Sequence, residues 1–330
     1  MEYSIVTVLL LIFSFIYFRI AGHYNITDAP NQRSAHSVVT VRGGGVLYPF
    51  AYILFILYEL WFGTALIQNY LILGTGMMML CTVSFMDDVK QLSSKIRLVF
   101  QFLSVIPLLY FLGVFQVISL WWLPVVLILI IGILNAFNFM DGINGISGLY
   151  SLVTLGTLLY INQYVVSFAD TDFIVYPALA SIVFLFFNFR KKAKCFMGDV
   201  GSMGIAFWIV VLIGLLMMKT GELKWILLLT VYGVETVVTI MERIRLRENI
   251  MEAHCKHLYQ LLVNKFHMPH LSVSTLYAGL QLVISILIIQ VQISDYLLIP
   301  AVIITAAALY VLLKYNLKKR IANDHLRNSA

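Results

Sequence analysis

Four aspartates stand where a carboxylate can do chemistry. Asp87 and Asp88 are adjacent in Phe85-Met86-Asp87-Asp88-Val89-Lys90, Asp141 follows Asn138-Phe139-Met140, and Asp199 lies in Phe196-Met197-Gly198-Asp199-Val200-Gly201-Ser202. Adjacent carboxylates repel unless cations or a metal neutralise them, and successive helical residues point about 100° apart, so Asp87 and Asp88 do different jobs. One suits a metal or a base and the other suits structure, with a solvated acidic pair in a loop as the plainer reading. Lys90, Lys95 and Arg97 supply cations close behind. Asn135, Asn138 and Asp141 recur every third residue and share one broad helix face, ahead of glycines at 142, 145 and 148. Helix packing with polar caps is the alternative there. Before Asp199 run Arg190, Lys191, Lys192 and Lys194. A helix starting at this point would offer N–H donors and positive potential to a phosphate, with Asp199 holding a cation against it. The alternative is a basic run set by topology, followed by an ordinary capping aspartate.

Two further stretches suit anions. Arg33, Ser34 and His36, then Arg42-Gly43-Gly44-Gly45, combine cations with glycines whose N–H groups can approach a phosphate closely, although a flexible glycine loop has the same composition. His254 and His257 in His254-Cys255-Lys256-His257-Leu258-Tyr259-Gln260 are three apart and face one way on a helix, so two imidazoles could bind phosphate. A zinc site with His267 and His270 is disfavoured, because no known finger spacing and no HExxH is present. There is neither a Walker A pattern nor a GxGxxG following a strand, so a soluble nucleotide fold is not implied.

The elements that must position these residues are membrane helices. Apolar residues make up 61% of 330 and charged residues only 12%, where a soluble domain carries about 25% charged. Runs long enough to span a bilayer recur at 3–20, 44–62, 67–86, 97–115, 120–136, 146–162, 173–190, 203–219, 224–241, 273–292 and 296–314. The reading is all-α: one polytopic domain over 1–330 with about eleven transmembrane helices, and active-site loops near 21–43, 86–97, 137–146, 189–202 and 242–272. Met1-Glu2-Tyr3 supplies no positive n-region, so the first run is kept as a span. Alternating loops place every lysine and arginine on one side except Lys219 and Lys224, and all seven histidines fall on that same side. By the positive-inside rule that side is the cytoplasm, with the N-terminus outside and the C-terminus inside. The net charge of +6 is thus a topology signal and implies no nucleic-acid partner. Cys81, Cys195 and Cys255 show no CxxC spacing, and no disulfide is expected. The tail from Lys314 is expected to be a frayed basic end beside anionic membrane lipid.

At these residues the chain resembles the polyprenyl-phosphate N-acetylhexosamine-1-phosphate transferases. The resemblance runs through Arg33-Ser34-Ala35-His36 with Arg42-Gly43-Gly44-Gly45, Asp87-Asp88, Asn135 to Gly145, Phe196 to Ser202, and His254 to Gln260. It implies an eleven-helix enzyme of the inner membrane with a cytoplasmic active site, using Mg²⁺ with Mn²⁺ as the alternative ion. It also implies transfer of a sugar-1-phosphate from a UDP-N-acetylhexosamine to undecaprenyl phosphate, giving undecaprenyl-pyrophosphate-sugar and UMP. Carried over residue by residue, Asp199 and Asp141 are metal ligands, Asp87 is base or nucleophile, and Asp88 stands beside it. Arg33, His36, Arg42, Lys95, Asn135, Asn138, Asn144, Lys194, Phe196, His254 and His257 would bind substrate. Direct attack by lipid phosphate and a covalent aspartyl intermediate both remain open, as does a homodimer.

Three positions depart from the family pattern: Asn144 where Asp is usual, Cys255 where related members carry Arg, and Val41 where Pro is common. The His-Cys-Lys-His-Leu-Tyr-Gln stretch resembles the O-antigen-initiating branch. A transporter is the rival class, but Glu235 is the one plausible mid-span charge, and the sequence offers it no partner. An inactive scaffold relative is the other rival, kept open by Asn144. The topology is checked with cysteines introduced at Asp170 and His267: impermeant reagents should reach them from opposite faces, and labelling from one face would refute the eleven-span arrangement.

Overall fold

The computed structural model describes residues 2–28, 39–63, 66–249 and 254–328, so Arg33, Ser34 and His36 lie outside the described residues. The apolar runs fold as helices, that at 224–241 opening with a 3-10 segment over Leu223–Leu229, since in lipid only a helix satisfies its own backbone. In order they are α1 (Glu2–His23), α2 (Leu47–Phe62), α3 (Ile67–Val89), α4 (Ser94–Phe111), the short α5 (Val114–Val117), α6 (Leu123–Met140), α7 (Ile146–Tyr164), α8 (Thr171–Asn188), α9 (Gly198–Thr220), α10 (Thr230–Arg245), the short α11 (Leu258–Asn264), α12 (His270–Gln290) and α13 (Asp295–Asn328). A two-residue antiparallel pair, β1 (Thr27–Asp28) with β2 (Thr40–Val41), joins α1 to the turn ahead of α2.

Among the described residues, ten helical segments are long and apolar enough to cross a membrane, one fewer than expected. The difference is α7, whose 19 residues match the others in length. It carries Ser147, Ser151, Thr154, Thr157 and Asn162, all buried, where α8 and α12 pack over it and keep their polar atoms from lipid. At the centre runs α9, in which every residue from Val200 to Ile213 is buried, so it is apolar on all faces. Strongly exposed Trp61, Trp121, Trp122, Tyr164 and Tyr296 gather at the ends of α2, α6, α7 and α13 that lie far from the aspartates, as interfacial aromatics do. The protein is an all-α polytopic membrane protein.

Two expectations change. The tail from Lys314 is not frayed: α13 continues to Asn328, and Lys314 is buried against Glu242 of α10 at 2.8 Å, with Lys318 on the same carboxylate. The helices also reach further than the apolar runs. Instead of stopping at 86, α3 ends at Val89; α4 begins at Ser94, capped by Ser93; α6 runs to Met140; and α9 starts at Gly198. Asp87, Asp88, Asn138 and Asp199 therefore stand on helix ends beyond the apolar runs. Polar residues in a terminal turn reach water or each other without breaking the helix, which apolarity alone cannot reveal.

The turn ahead of α2 is bound to the segment ahead of α9. Phe196 N–H donates to Val41 C=O at 2.8 Å, Gly44 N–H to Phe196 C=O at 2.7 Å, and Gly45 N–H to Met197 C=O at 2.9 Å. A Cβ on Gly45 would meet Met197 O at 2.8 Å and the Gly201 backbone closer still. Gly45→Ala should therefore lower stability by about 2 kcal/mol or more, read by thermal unfolding in detergent. Gly132→Ala should hold or gain up to about 1 kcal/mol, because nothing lies within 4 Å of a Cβ there. Equal losses would refute the close approach.

Candidate active site

Asp88 ends α3 and Asp199 opens α9, and the chain joins them directly. The Asp88 carboxylate accepts from Asp199 N–H at 2.9 Å and Val200 N–H at 3.0 Å, capping α9 from a neighbouring helix. Arg42 donates to the same carboxylate at 2.7 Å and to Asp199 at 3.2 Å. Burial opposes the Arg42 charge, and the Asp88 and Asp199 carboxylates overcome it, so its pKa rises. Tyr17 fixes this arginine's backbone by donating to Arg42 C=O at 2.6 Å.

Asp87 faces differently, as the offset between successive helical residues requires. It accepts from Leu92 N–H at 2.6 Å and from Arg97 at 3.0 Å, and the same Arg97 nitrogen reaches Asp199 at 3.2 Å. Arg97, in the first turn of α4, is the cation sequence reasoning left unassigned; Lys95, chosen in its place, is exposed with its neighbour Ile96. Both cations lie in the first turn of α4, and the two-residue step between them turns Arg97 toward the aspartates and Lys95 away.

The α6 end supplies the third side. Asn138 donates to Ser202 at 3.2 Å and also bonds Asp199, while Asn135 exchanges amide bonds with Gln101 of α4 at 2.9 and 3.3 Å. Asp141 caps α6 and lies near enough to Asp88 and Asp199 to feel both charges. Burial pushes its carboxyl up to about 7, against a hydrogen bond from Ser147.

The glycine and helix-terminus readings are corrected. Gly44 and Gly45 spend their N–H groups on Phe196 and Met197 carbonyls, so they permit close packing and do not cradle an anion. The first N–H donors of α9 are taken by Asp88. Phe196 takes part through its backbone, and Lys194 is exposed with its N–H on Phe187 C=O at 3.0 Å. Asn188 ties the segment down: it accepts from Gly145 N–H at 2.6 Å and donates to Cys195 C=O at 2.8 Å. Asn144 is buried, and its amide donates to Arg190 C=O at 2.8 Å. A carboxylate could not make that bond, so the departure at this position joins two loops in this chain.

The histidines reach the site through a loop. Tyr259 donates to Phe139 C=O at 3.0 Å, two residues before Asp141, bringing the His254 segment against the end of α6. The rings of His254 and His257 lie 4.9 Å apart. Burial, then nearby cations, lowers His254 to about 4, and burial with His254 and cations lowers His257 to about 3, so both are neutral at pH 7.

Four carboxylates face Arg42 and Arg97, leaving two negative charges when all are ionised. Among the described residues no three His, Cys, Asp or Glu side chains stand together as a metal cage. An all-oxygen donor set with excess negative charge nonetheless fits Mg²⁺, which takes one or two carboxylates and fills its other positions with water and substrate phosphate.

The two neighbours should respond differently to neutralisation. Asp88→Asn leaves the α9 terminus and Arg42 without their charge partner and should cost about 3 kcal/mol. Asp87→Asn keeps an acceptor for Leu92, and its partner Arg97 is a third exposed, so the loss should be about 1 kcal/mol. Chemical unfolding in detergent distinguishes them, and equal losses would remove Asp88 from its capping role.

A comparison with curated proteins found no match. Residues 70–217 match the model of the family described as glycosyl transferase family 4. That stretch contains all four aspartates and Arg97, while Arg42 and both histidines lie outside it. Over that stretch the chain is similar to glycosyl transferase family 4.

Proposed function

We propose that the protein transfers an N-acetylhexosamine-1-phosphate from a UDP-sugar to undecaprenyl phosphate, releasing UMP, at the cytoplasmic face of the inner membrane. The observation that carries this is the gathering of Asp87, Asp88, Asp199, Arg42 and Arg97 at one end of the bundle, on the side that holds most basic residues. An acceptor with an apolar tail and a phosphate head meets a water-soluble nucleotide at that depth and nowhere else. A transporter would place its binding groups near the midplane.

In the reaction an oxygen of the lipid phosphate bonds to the β-phosphorus of the UDP-sugar as that phosphorus parts from the bridging oxygen, and UMP leaves with the electron pair. Both reactants are anions, so the cost lies in charge. Asp199 and Asp141 would hold Mg²⁺, which offsets that charge when bound. Arg42 and Arg97 present guanidinium groups suited to phosphate oxygens once substrate competes with the carboxylates. Asp87, unlike Asp88, is not committed to the α9 terminus; it serves as base toward the lipid phosphate or as nucleophile. Neutral His254 and His257 would meet phosphate oxygens through hydrogen bonds. The peptide and amide groups of Asn138 and Asn135 fix the α6 end against α9 and α4.

Purified protein incubated with undecaprenyl phosphate and a panel of UDP-sugars should release UMP over many turnovers only with both substrates and Mg²⁺ present. Asp199→Asn, which keeps shape and loses charge, should lower kcat at least about 100-fold while remaining folded. Acceptor-independent UMP release beyond one equivalent per enzyme, or normal turnover by a folded Asp199→Asn variant, would overturn the reading.

A further inference from the structure

A carboxylate buried in the middle of a membrane span is costly and needs a reason. Glu235 lies in α10 at 2% exposure. Its partners come from two other elements. Leu258 N–H donates to Oε1 at 2.6 Å and Tyr259 N–H at 3.3 Å, while the Tyr277 hydroxyl of α12 donates to Oε2. His257 Nδ1 stands 3.7 Å from Oε1. The glutamate thus caps a short helix belonging to the histidine segment, from a helix that does not carry it.

The contacts continue toward the aspartates. Gln260 accepts from His257 N–H at 3.1 Å, so the backbone is held on both sides of the imidazole. Tyr259, pinned through its own N–H by Glu235, donates its hydroxyl to Phe139 C=O at 3.0 Å. Its ring stacks on His257 at 5.6 Å. The His257 ring faces the Gln260 N–H in a reciprocal capping box, and its two nitrogens are otherwise buried with no hydrogen-bond partner, although the surrounding backbone is satisfied. Buried polar atoms left in this way in a fixed setting are where a ligand atom belongs.

We propose that Glu235 is a positioning residue: it clamps the His254–Gln260 segment onto the end of α6 and so fixes His257 against Tyr259 there. The proposal rests on the reading of this chain as a sugar-phosphate transferase whose His257 meets substrate phosphate. Glu235 itself touches no substrate and acts through the backbone of Leu258 and Tyr259.

The test uses the full-length protein in detergent, with Glu235→Ala, which removes the clamp, and Glu235→Gln, which keeps an acceptor of the same shape. Cys255 lies within the clamped segment and is partly exposed, whereas Cys81 and Cys195 are buried, so maleimide labelling reads the segment directly. Glu235→Ala should speed Cys255 labelling at least about tenfold, and Glu235→Gln should stay within about twofold of the native rate. In the UMP-release assay Glu235→Ala should lose about 100-fold in kcat/KM, Glu235→Gln should restore most of it, and the Glu235→Ala/His257→Ala double variant should be within about threefold of His257→Ala alone. Multiplying losses in the double variant, or native labelling in Glu235→Ala, would overturn the clamp. Should native protein transfer from no UDP-sugar, the transferase reading fails, and labelling alone then decides whether Glu235 holds the segment.

Discussion

The Asp88 carboxylate meeting the first N–H groups of α9 is the contact on which the rest of the site depends. A helix that begins inside a membrane protein leaves N–H donors that neither lipid nor its own turns can satisfy. Here another helix supplies the acceptor, with Arg42 balancing the charge. Because α9 is buried along its length, fixing its start also fixes Asp199 and Ser202, and through Ser202 the Asn138 end of α6. Asp87, one residue earlier, is turned aside to Arg97 by the helical step alone.

Burial makes the arrangement strict. In a low-dielectric setting three neighbouring carboxylates would not remain ionised without cations, and the two arginines enter from different elements, one before α2 and one on α4. Each guanidinium bridges two carboxylates, so each charge is partly shared. A phosphate entering such a set can exchange partners without exposing any charge to lipid. The proposed reaction between anions would thus be served by a site that looks saturated with ion pairs.

Backbone contacts carry the framework, and the glycines are its clearest sign. Gly45 and Gly201 let the turn before α2 lie directly on the start of α9, and Asn188 and Asn144 tie the intervening segment to neighbouring carbonyl and amide groups. Asn144 illustrates how an apparent loss of a charged residue can be a gain of a donor. Its buried amide does what a carboxylate cannot.

The fold class was legible in the sequence because hydrocarbon imposes length and apolarity on every span exposed to it. Eleven runs were expected against the ten helical segments long and apolar enough to cross a membrane among the described residues, and α7 makes the difference, since protein instead of lipid surrounds its polar face. The four aspartates were legible as well, because charged residues survive at span ends only when something offsets them. Which partner offsets each was not legible: Arg97 and Lys95 are equivalent cations by composition, and only the start of α4 at Ser94 directs Arg97 inward. Glu235 had no visible partner, since those it has lie more than twenty residues away on segments that meet α10 only in three dimensions. Sequence thus determined the solvent each segment must face and the chemistry its polar residues can offer, while tertiary packing alone decided which donor meets which acceptor, because hydrogen bonds act over about 3 Å and are set by helix ends rather than by order along the chain.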